Sequence, residues 1–153
     1  MDHYVVIRNM SEEDLEQVCK IENETFTSPW SYHSYEQVIN NENNLFLVAE
    51  NKGVIVGYCG YMGVLDEGQI TNVAVKKEYR GKNIGYRLME SLLHGGIERG
   101  IRAFTLEVRV SNEKALNLYE RLGFIREGIR KNYYMSPKED AVIMWNYMKN
   151  IPL

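Results

Sequence analysis

Val73-Ala74-Val75-Lys76-Lys77-Glu78-Tyr79-Arg80-Gly81-Lys82-Asn83-Ile84-Gly85 is the stretch whose reading decides the fold. It leaves an apolar strand, Gln69 to Val75, and turns into an amphipathic helix marked by Ile84, Leu88, Leu92 and Leu93, with a stop expected near Gly95-Gly96 or Gly100. A helix start carries unpaired amides and about half a positive charge, so it receives a phosphate without needing side-chain charge. Close approach requires small residues or residues that tolerate positive φ, which Gly81, Asn83 and Gly85 satisfy. Arg80 and Lys82 could add contacts to a further phosphate. Neither Gly-x-x-x-x-Gly-Lys-Ser/Thr nor Gly-x-Gly-x-x-Gly is present, which argues against a P-loop and a dinucleotide site. Taken alone, an ordinary strand-to-helix turn with solvated charges explains the segment equally well.

A second segment follows. Thr105-Leu106-Glu107-Val108-Arg109-Val110 alternates strictly, so Glu107 lies on the strand face opposite Leu106 and Val108. It lines a cleft, meets a partner, or sits at an exposed edge. On the next helix, Asn112 and Tyr119 are seven apart and share a face, with the small Ala115 between them. By themselves Asn112 is an N-cap and Tyr119 a core tyrosine. A carboxylate and a phenol beside a phosphate receptor nevertheless suffice for proton transfer.

The rest of the chain supplies the scaffold. Tyr4 to Arg8 reads as a strand; Ser11-Glu12-Glu13-Asp14 starts a helix carrying Leu15, Val18, Cys19 and Ile21; Ser28-Pro29-Trp30-Ser31 interrupts before a second helix from Ser31 to about Asn40. Leu45 to Glu50 and Val54 to Leu65 are strands joined by Asn51-Lys52-Gly53. After the Asn112–Leu122 helix, Phe124 to about Arg130 and Ala141 to Tyr147 are strands. The order β-α-α-β-β-β-α-β-α-β-β is that of a mixed α/β sheet with helices on both faces. With no repeat or linker, 1–153 is expected to be one domain.

Composition narrows the function classes. A net charge of −3 argues against a nucleic-acid binder. Cys19 and Cys59 share no metal or redox spacing and are expected as buried small hydrophobes; His3, His33 and His94 form no ligand pattern, so no metal is expected. Met1-Asp2-His3-Tyr4 does not read as a signal segment and no run is long enough to span a bilayer, so a cytoplasmic protein without a membrane partner is expected.

Val73-Ala74-Val75, the Tyr79–Gly85 turn, and Ser111-Asn112-x-x-Ala115-x-x-Leu118-Tyr119-x-x-x-Gly123-Phe124 together resemble the GNAT acetyltransferases in order and spacing, over most of Gln69 to Phe124. Ser28-Pro29-Trp30-Ser31, Leu106-Glu107-Val108-Arg109, Arg130-Lys131-Asn132-Tyr133-Tyr134 and Glu139-Asp140-Ala141-Val142-Ile143-Met144 are similar to the RimI-type branch, which acetylates the N-terminal alanine of a small-subunit ribosomal protein. They extend the likeness over nearly the whole chain.

The resemblance implies a mostly antiparallel sheet of six to seven strands, acetyl-CoA as co-substrate, and the N-terminus of a ribosomal protein as partner. It implies that Val73, Ala74 and Val75 pair by backbone with the pantetheine, that Gly81, Lys82, Asn83, Ile84, Gly85 and Tyr86 cradle the pyrophosphate, and that Asn112 contacts the pantetheine. Glu107 becomes the proton acceptor and Tyr119 the donor, while Trp30, Tyr133 and Tyr134 border the peptide channel. Three positions depart from the pattern: Asn83 stands for a usual glycine, Gln69 for a frequent acidic residue, and Met135 for a frequent proline. Two alternatives stay open: acetylation of a small amine or a lysine side chain, and a non-catalytic acyl-CoA-binding module, which has no need of both Glu107 and Tyr119.

Overall fold

A computed structural model describes residues 4–147; Met1, Asp2 and His3, and with them the expectation of no signal segment and no ligand role for His3, lie outside the described residues. Strands β1 (Val5–Asn9), β2 (Asn44–Asn51), β3 (Val54–Val64), β4 (Glu67–Ile70), β5 (Ala74–Val75), β6 (Ala103–Arg109), β7 (Ile125–Met135) and β8 (Lys138–Tyr147) alternate with helices α1 (Leu15–Thr25), α2 (Tyr32–Val38), α3 (Ile84–Glu98) and α4 (Glu113–Arg121). The sheet order is β1-β2-β3-β4-β6-β8-β7, with β5 also on β3. Every pairing is antiparallel except β4 with β6.

Two cores sandwich the sheet. On one face Leu15, Val18 and Ile21 of α1 and Tyr35 of α2 pack on Phe46, Val48, Ile55 and Tyr58. On the other, Ile84, Leu88, Leu92 and Leu93 of α3 and Leu116 and Tyr119 of α4 pack on Leu47, Val56, Tyr61, Phe104 and Leu106. β3 is central and covered on both sides, which is why its sequence reads as a nearly unbroken apolar run rather than an alternation.

The expected element order is observed, with three differences. The strand expected over Gln69–Val75 is broken into β4 and β5, giving eight strands instead of six to seven. β7 runs five residues beyond Arg130, because the hairpin with β8 carries it outward. Cys59 is buried as expected, whereas Cys19 is only half-buried, at the margin of the α1 packing.

α3 ends where Gly100 takes φ +93, with Ile101 N–H donating to Gly96 O at 2.9 Å and Gly100 N–H to Ile97 O at 3.0 Å. The earlier pair Gly95-Gly96 therefore lies inside the helix. Gly96 is there for space: a Cβ would stand 2.6 Å from Phe104 Cζ, beneath a fully buried ring. Gly96→Ala gains about 1 kcal/mol of helix propensity but overpacks Phe104 at a cost of about 1–3 kcal/mol. The expected result is a lower denaturant midpoint; an unchanged or higher midpoint would show that the ring gives way freely.

Candidate active site

The site begins with a parting of strands. β4 and β6 are paired at Glu67↔Ala103, Gly68↔Phe104 and Gln69↔Thr105, and the ladder stops there. β6 continues beside β8 to Arg109, while β5 stays with β3. Tyr61 pairs with Ile70 and Tyr58 with Ala74, so Cys59 and Gly60 face three residues, Thr71, Asn72 and Val73. One residue is extra, and this bulge bends the strand away from β6.

Lys76 N–H donates to Val56 O at 2.7 Å, which fixes the phase of β5. The main-chain groups of Ala74 face β3, and by alternation those of Val73 and Val75 face the gap. Val75 O accepts from Arg80 Nε at 2.9 Å. Of the three residues expected to offer backbone, Val73 and Val75 turn main-chain groups toward the gap and Ala74 turns its own toward β3.

On the α3–α4 face the gap opens into a cleft of about 660 Å³ lined by Val73, Ala74, Val75, Gly81, Asn83, Ile84, Gly85, Tyr86, Asn112, Ala115 and Tyr119. Gly81 has φ +79 and Asn83 φ +63, so asparagine here occupies the left-handed region for which glycine is the usual choice. Arg87 N–H donates the first intrahelical bond, to Asn83 O at 3.0 Å. The amides of Ile84, Gly85 and Tyr86 therefore have no partner within the helix. Lys82 does not line the cleft; its ammonium lies 5.5 Å over the Tyr79 ring. Asn112 serves both readings, capping α4 by accepting Ala115 N–H at 3.2 Å while also lining the cleft.

Tyr119 is 9% exposed. Burial pushes its phenol up from the usual tyrosine range, and Cys59 and Tyr134 act in the same direction. Lining residues that were not anticipated include Glu24 and Thr25 at the end of α1, and Lys114 and Arg121 of α4, the last lying 4.7 Å over the Tyr86 ring.

On the opposite face a cavity of about 290 Å³ is lined by Trp30, Met62, Gln69, Ile70, Thr71, Asn72, Glu107, Tyr133 and Tyr134. Glu107 lies two residues past the end of the β4–β6 ladder, where β6 is paired with β8 alone and borders the gap; its side chain is nevertheless only 11% exposed, accepting from Arg130 Nε at 3.0 Å. Between Arg130↔Ala141 and Tyr134↔Glu139 the β7 register slips, leaving Lys131, Asn132 and Tyr133 in a bulge. Arg109 fastens this region, donating to Glu139 Oε1 at 3.1 Å and Pro137 O at 2.9 Å, with its guanidinium 4.2 Å over the Tyr134 ring. Burial pushes the Tyr134 phenol up to about 12. A neighbouring cavity of about 420 Å³ shares Asn72, Tyr133 and Tyr134 and adds Phe26, Arg109 and Met135.

Sequence reading missed Glu22, which is 0% exposed. Its Oε1 accepts from Tyr35 Oη at 2.8 Å and Tyr58 Oη at 2.5 Å; its Oε2 accepts from Trp30 N at 2.9 Å and Asn72 Nδ2 at 2.5 Å. A signal existed: Glu22 continues the apolar stripe of α1 at four residues past Val18 and seven past Leu15, a charged residue where the pattern asks for an apolar one.

A sheet parted over a helix N-terminus, with a phenol on one side and a carboxylate on the other, is a site able to hold an extended, phosphate-bearing ligand beside groups that can move a proton. Residues 15–124 match the Acetyltransferase (GNAT) family, and the chain belongs to that family, whose enzymes use acetyl-CoA. A [ribosomal protein bS18]-alanine N-acetyltransferase from Haemophilus influenzae is 37% identical over 142 residues, covering 88% of this chain and 93% of that protein. A Bacillus subtilis (strain 168) relative, given the same name provisionally, is 46% identical over 140 residues, covering 91% and 93%. Among solved structures, the ribosomal-protein-S18-alanine N-acetyltransferase from Escherichia coli superposes with a TM-score of 0.86 at 33% identity, covering 94% of both chains.

The raised Tyr119 phenol has a direct spectroscopic consequence. Ultraviolet titration of the protein and of Tyr119→Phe is expected to superimpose to above about pH 10, where ordinary tyrosines ionise. Phenolate absorbance missing from the variant below that pH would place Tyr119 in the ordinary range.

Proposed function

We propose that this protein transfers the acetyl group of acetyl-CoA to the N-terminal α-amino group of a ribosomal protein, alanine of bS18 being the acceptor indicated by its named relatives. The observation that carries the proposal is the parting of β4–β5 from β6, with a cleft on one face of the sheet and a cavity on the other. The cleft presents the unpaired amides of α3; the cavity presents Glu107 among aromatic side chains. A ribosomal-protein acceptor also implies a cytoplasmic enzyme.

The residues fit acetyl-CoA. The amides of Ile84, Gly85 and Tyr86 and the positive-φ turn at Gly81 and Asn83 suit a diphosphate, and Ala115 and Gly85 leave room along the cleft. Val73 and Val75 offer backbone to the pantetheine, and Asn112 a side-chain amide. A related structure, the NatC complex bound to Gag peptide and CoA, has a TM-score of 0.83 at 26% identity, covering 94% of this chain and 98% of that one. Bound in the cleft, acetyl-CoA would supply the activated acyl group.

The protein's own groups handle the proton. An α-amino group titrates near 7.7–8.0 and lysine near 10.4, so freeing the amine at pH 7 costs about 1 kcal/mol for an N-terminus and about 4.6 kcal/mol for lysine. One carboxylate, acting directly or through water, suffices for the first. Glu107 Oε2 is engaged by Arg130, and no described residue donates to Oε1, which is left for the incoming amine. A main-chain N–H of Val73 or Val75 faces the gap where charge would develop on the acyl oxygen. Tyr119 suits the leaving sulfur as a hydrogen-bond donor. A phenol near 10 is already a weaker acid than a thiol near 8.5, by roughly 2 kcal/mol, and burial widens the difference. Full proton transfer from Tyr119 is therefore uphill.

Glu107→Gln is expected to lower kcat by about 10²–10³ at neutral pH, with partial recovery at alkaline pH where the amine is already neutral. An unchanged pH profile would remove Glu107 as the base. Tyr119→Phe is expected to slow transfer while the acetyl-CoA Kd, measured by calorimetry, stays the same; weaker binding with normal kcat would make this residue packing only. The function itself is tested by mass analysis of a panel of peptides beginning Ala, Ser, Met or Gly, beside internal-lysine peptides and polyamines. Alanine preference supports the proposal, and preference for lysine or polyamine overturns it.

A further inference from the structure

The mechanism uses neither of the buried carboxylates Asp14 and Glu22, and of the two Asp14 is paired with Arg8. Glu22 sits in the last turn of α1, where the helix dipole disfavours a negative charge. No Lys, Arg or His is paired with it among the described residues, and its charge is answered only by four hydrogen-bond donors. Buried charges are weak devices for stability, since apolar replacements often serve as well or better. A group held in this way at two local disadvantages points to a task other than stability.

The four donors divide by place. Oε1 takes the two phenols of the core, Tyr35 on α2 and Tyr58 on β3. Oε2 takes two groups of the cavity wall: Trp30 N in the α1–α2 loop and Asn72 Nδ2 in the bulge between β4 and β5. Trp30 and Asn72 line the cavity that contains Glu107, and the Trp30 ring lies 5.1 Å from that of Tyr35. One carboxylate thus ties two otherwise unconnected segments of the wall to the rigid sheet.

We propose that Glu22 is a positioning residue for the acyl acceptor: through Trp30 and Asn72 it sets the wall opposite Glu107, and so governs binding of the peptide N-terminus rather than of acetyl-CoA. This rests on the N-terminal acetyltransferase function proposed above. Glu22 itself touches neither substrate, because it has no exposed surface. Glutamine can replace it with little rearrangement: its oxygen accepts from Trp30 N and Asn72 Nδ2, and its amide donates to the phenol oxygens, which accept as well as donate. Alanine can do neither.

The test is steady-state kinetics of the full chain with acetyl-CoA and an alanine-initiated peptide, for the protein, Glu22→Ala and Glu22→Gln. Glu22→Ala is expected to raise the peptide KM by about tenfold or more, with kcat within about threefold and acetyl-CoA Kd unchanged; Glu22→Gln returns KM to within about threefold. An unchanged peptide KM in Glu22→Ala overturns the proposal, as does an equal loss of peptide and acetyl-CoA affinity. If Glu22→Ala does not fold, Tyr35→Phe decides, since it removes one donor and keeps the ring: a rise in peptide KM at constant kcat supports positioning, and no change overturns it. If the parent protein fails to acetylate the peptide, the N-terminal assignment fails. The same ratios are then read with whichever amine it does acetylate, and they judge Glu22 separately.

Discussion

One extra residue in the strand after Ile70 governs the molecule. Without the bulge at Thr71-Asn72-Val73, β5 would continue the parallel ladder along β6 and the sheet would close. With it, the ladder ends at Gln69↔Thr105 and main-chain groups of Val73 and Val75 are left facing a gap. Unpaired backbone in a protein interior needs an occupant, whether solvent or an extended ligand with amides of its own. A pantetheine arm meets that need as a further strand would. The parting also leaves the N-terminus of α3 on one face and Glu107 on the other, the arrangement that the proposed transfer requires.

Charge is distributed to match. The cleft on the α3 side attracts anions through backbone and helix dipole, with Arg80, Lys114 and Arg121 among its lining residues. The cavity on the other side has one carboxylate among its lining residues, Glu107; its other titratable members are the phenols Tyr133 and Tyr134. Burial raises the Tyr134 and Tyr119 phenols above the ordinary tyrosine range. Under the proposed function, proton acceptance is assigned to Glu107. Arg130 already balances that carboxylate, so the pair exerts little net pull on a cation.

Much of this was legible before any coordinates. Period-2 and period-3.6 patterns gave the element order, because each strand or helix buries one face against a single neighbouring layer. The glycines and Asn83 revealed the turn because positive φ restricts residue choice locally. What stayed hidden depends on contacts distant in sequence. The bulge at Asn72 is held by a glutamate fifty residues earlier, and nothing near Asn72 announces a break in an apolar strand. The Glu107–Arg130 pair and the Arg109–Glu139 pair likewise join residues 23 and 30 apart. The Lys131-Asn132-Tyr133 bulge is set by pairing with β8, which no local rule specifies.

The two sides of the parted sheet answer differently to substitution. The phosphate half is built from main chain, so the identity of a side chain matters only where φ is positive, and asparagine at position 83 serves where glycine is usual. The acceptor half is built from side chains on five segments distant in sequence: the α1–α2 loop, β3, β4 with its bulge, β6 and β7. Its shape therefore depends on the polar ties among them, such as Glu22 to Trp30 and Asn72, and Arg109 to the β7–β8 turn. Departures at Gln69 and Met135 fall on this half, since each lines one of its two cavities. Under the proposed function, the acyl donor is met mainly by main chain and the amine by side chains, so substitutions on the Glu107 side bear on the acceptor more than on the donor.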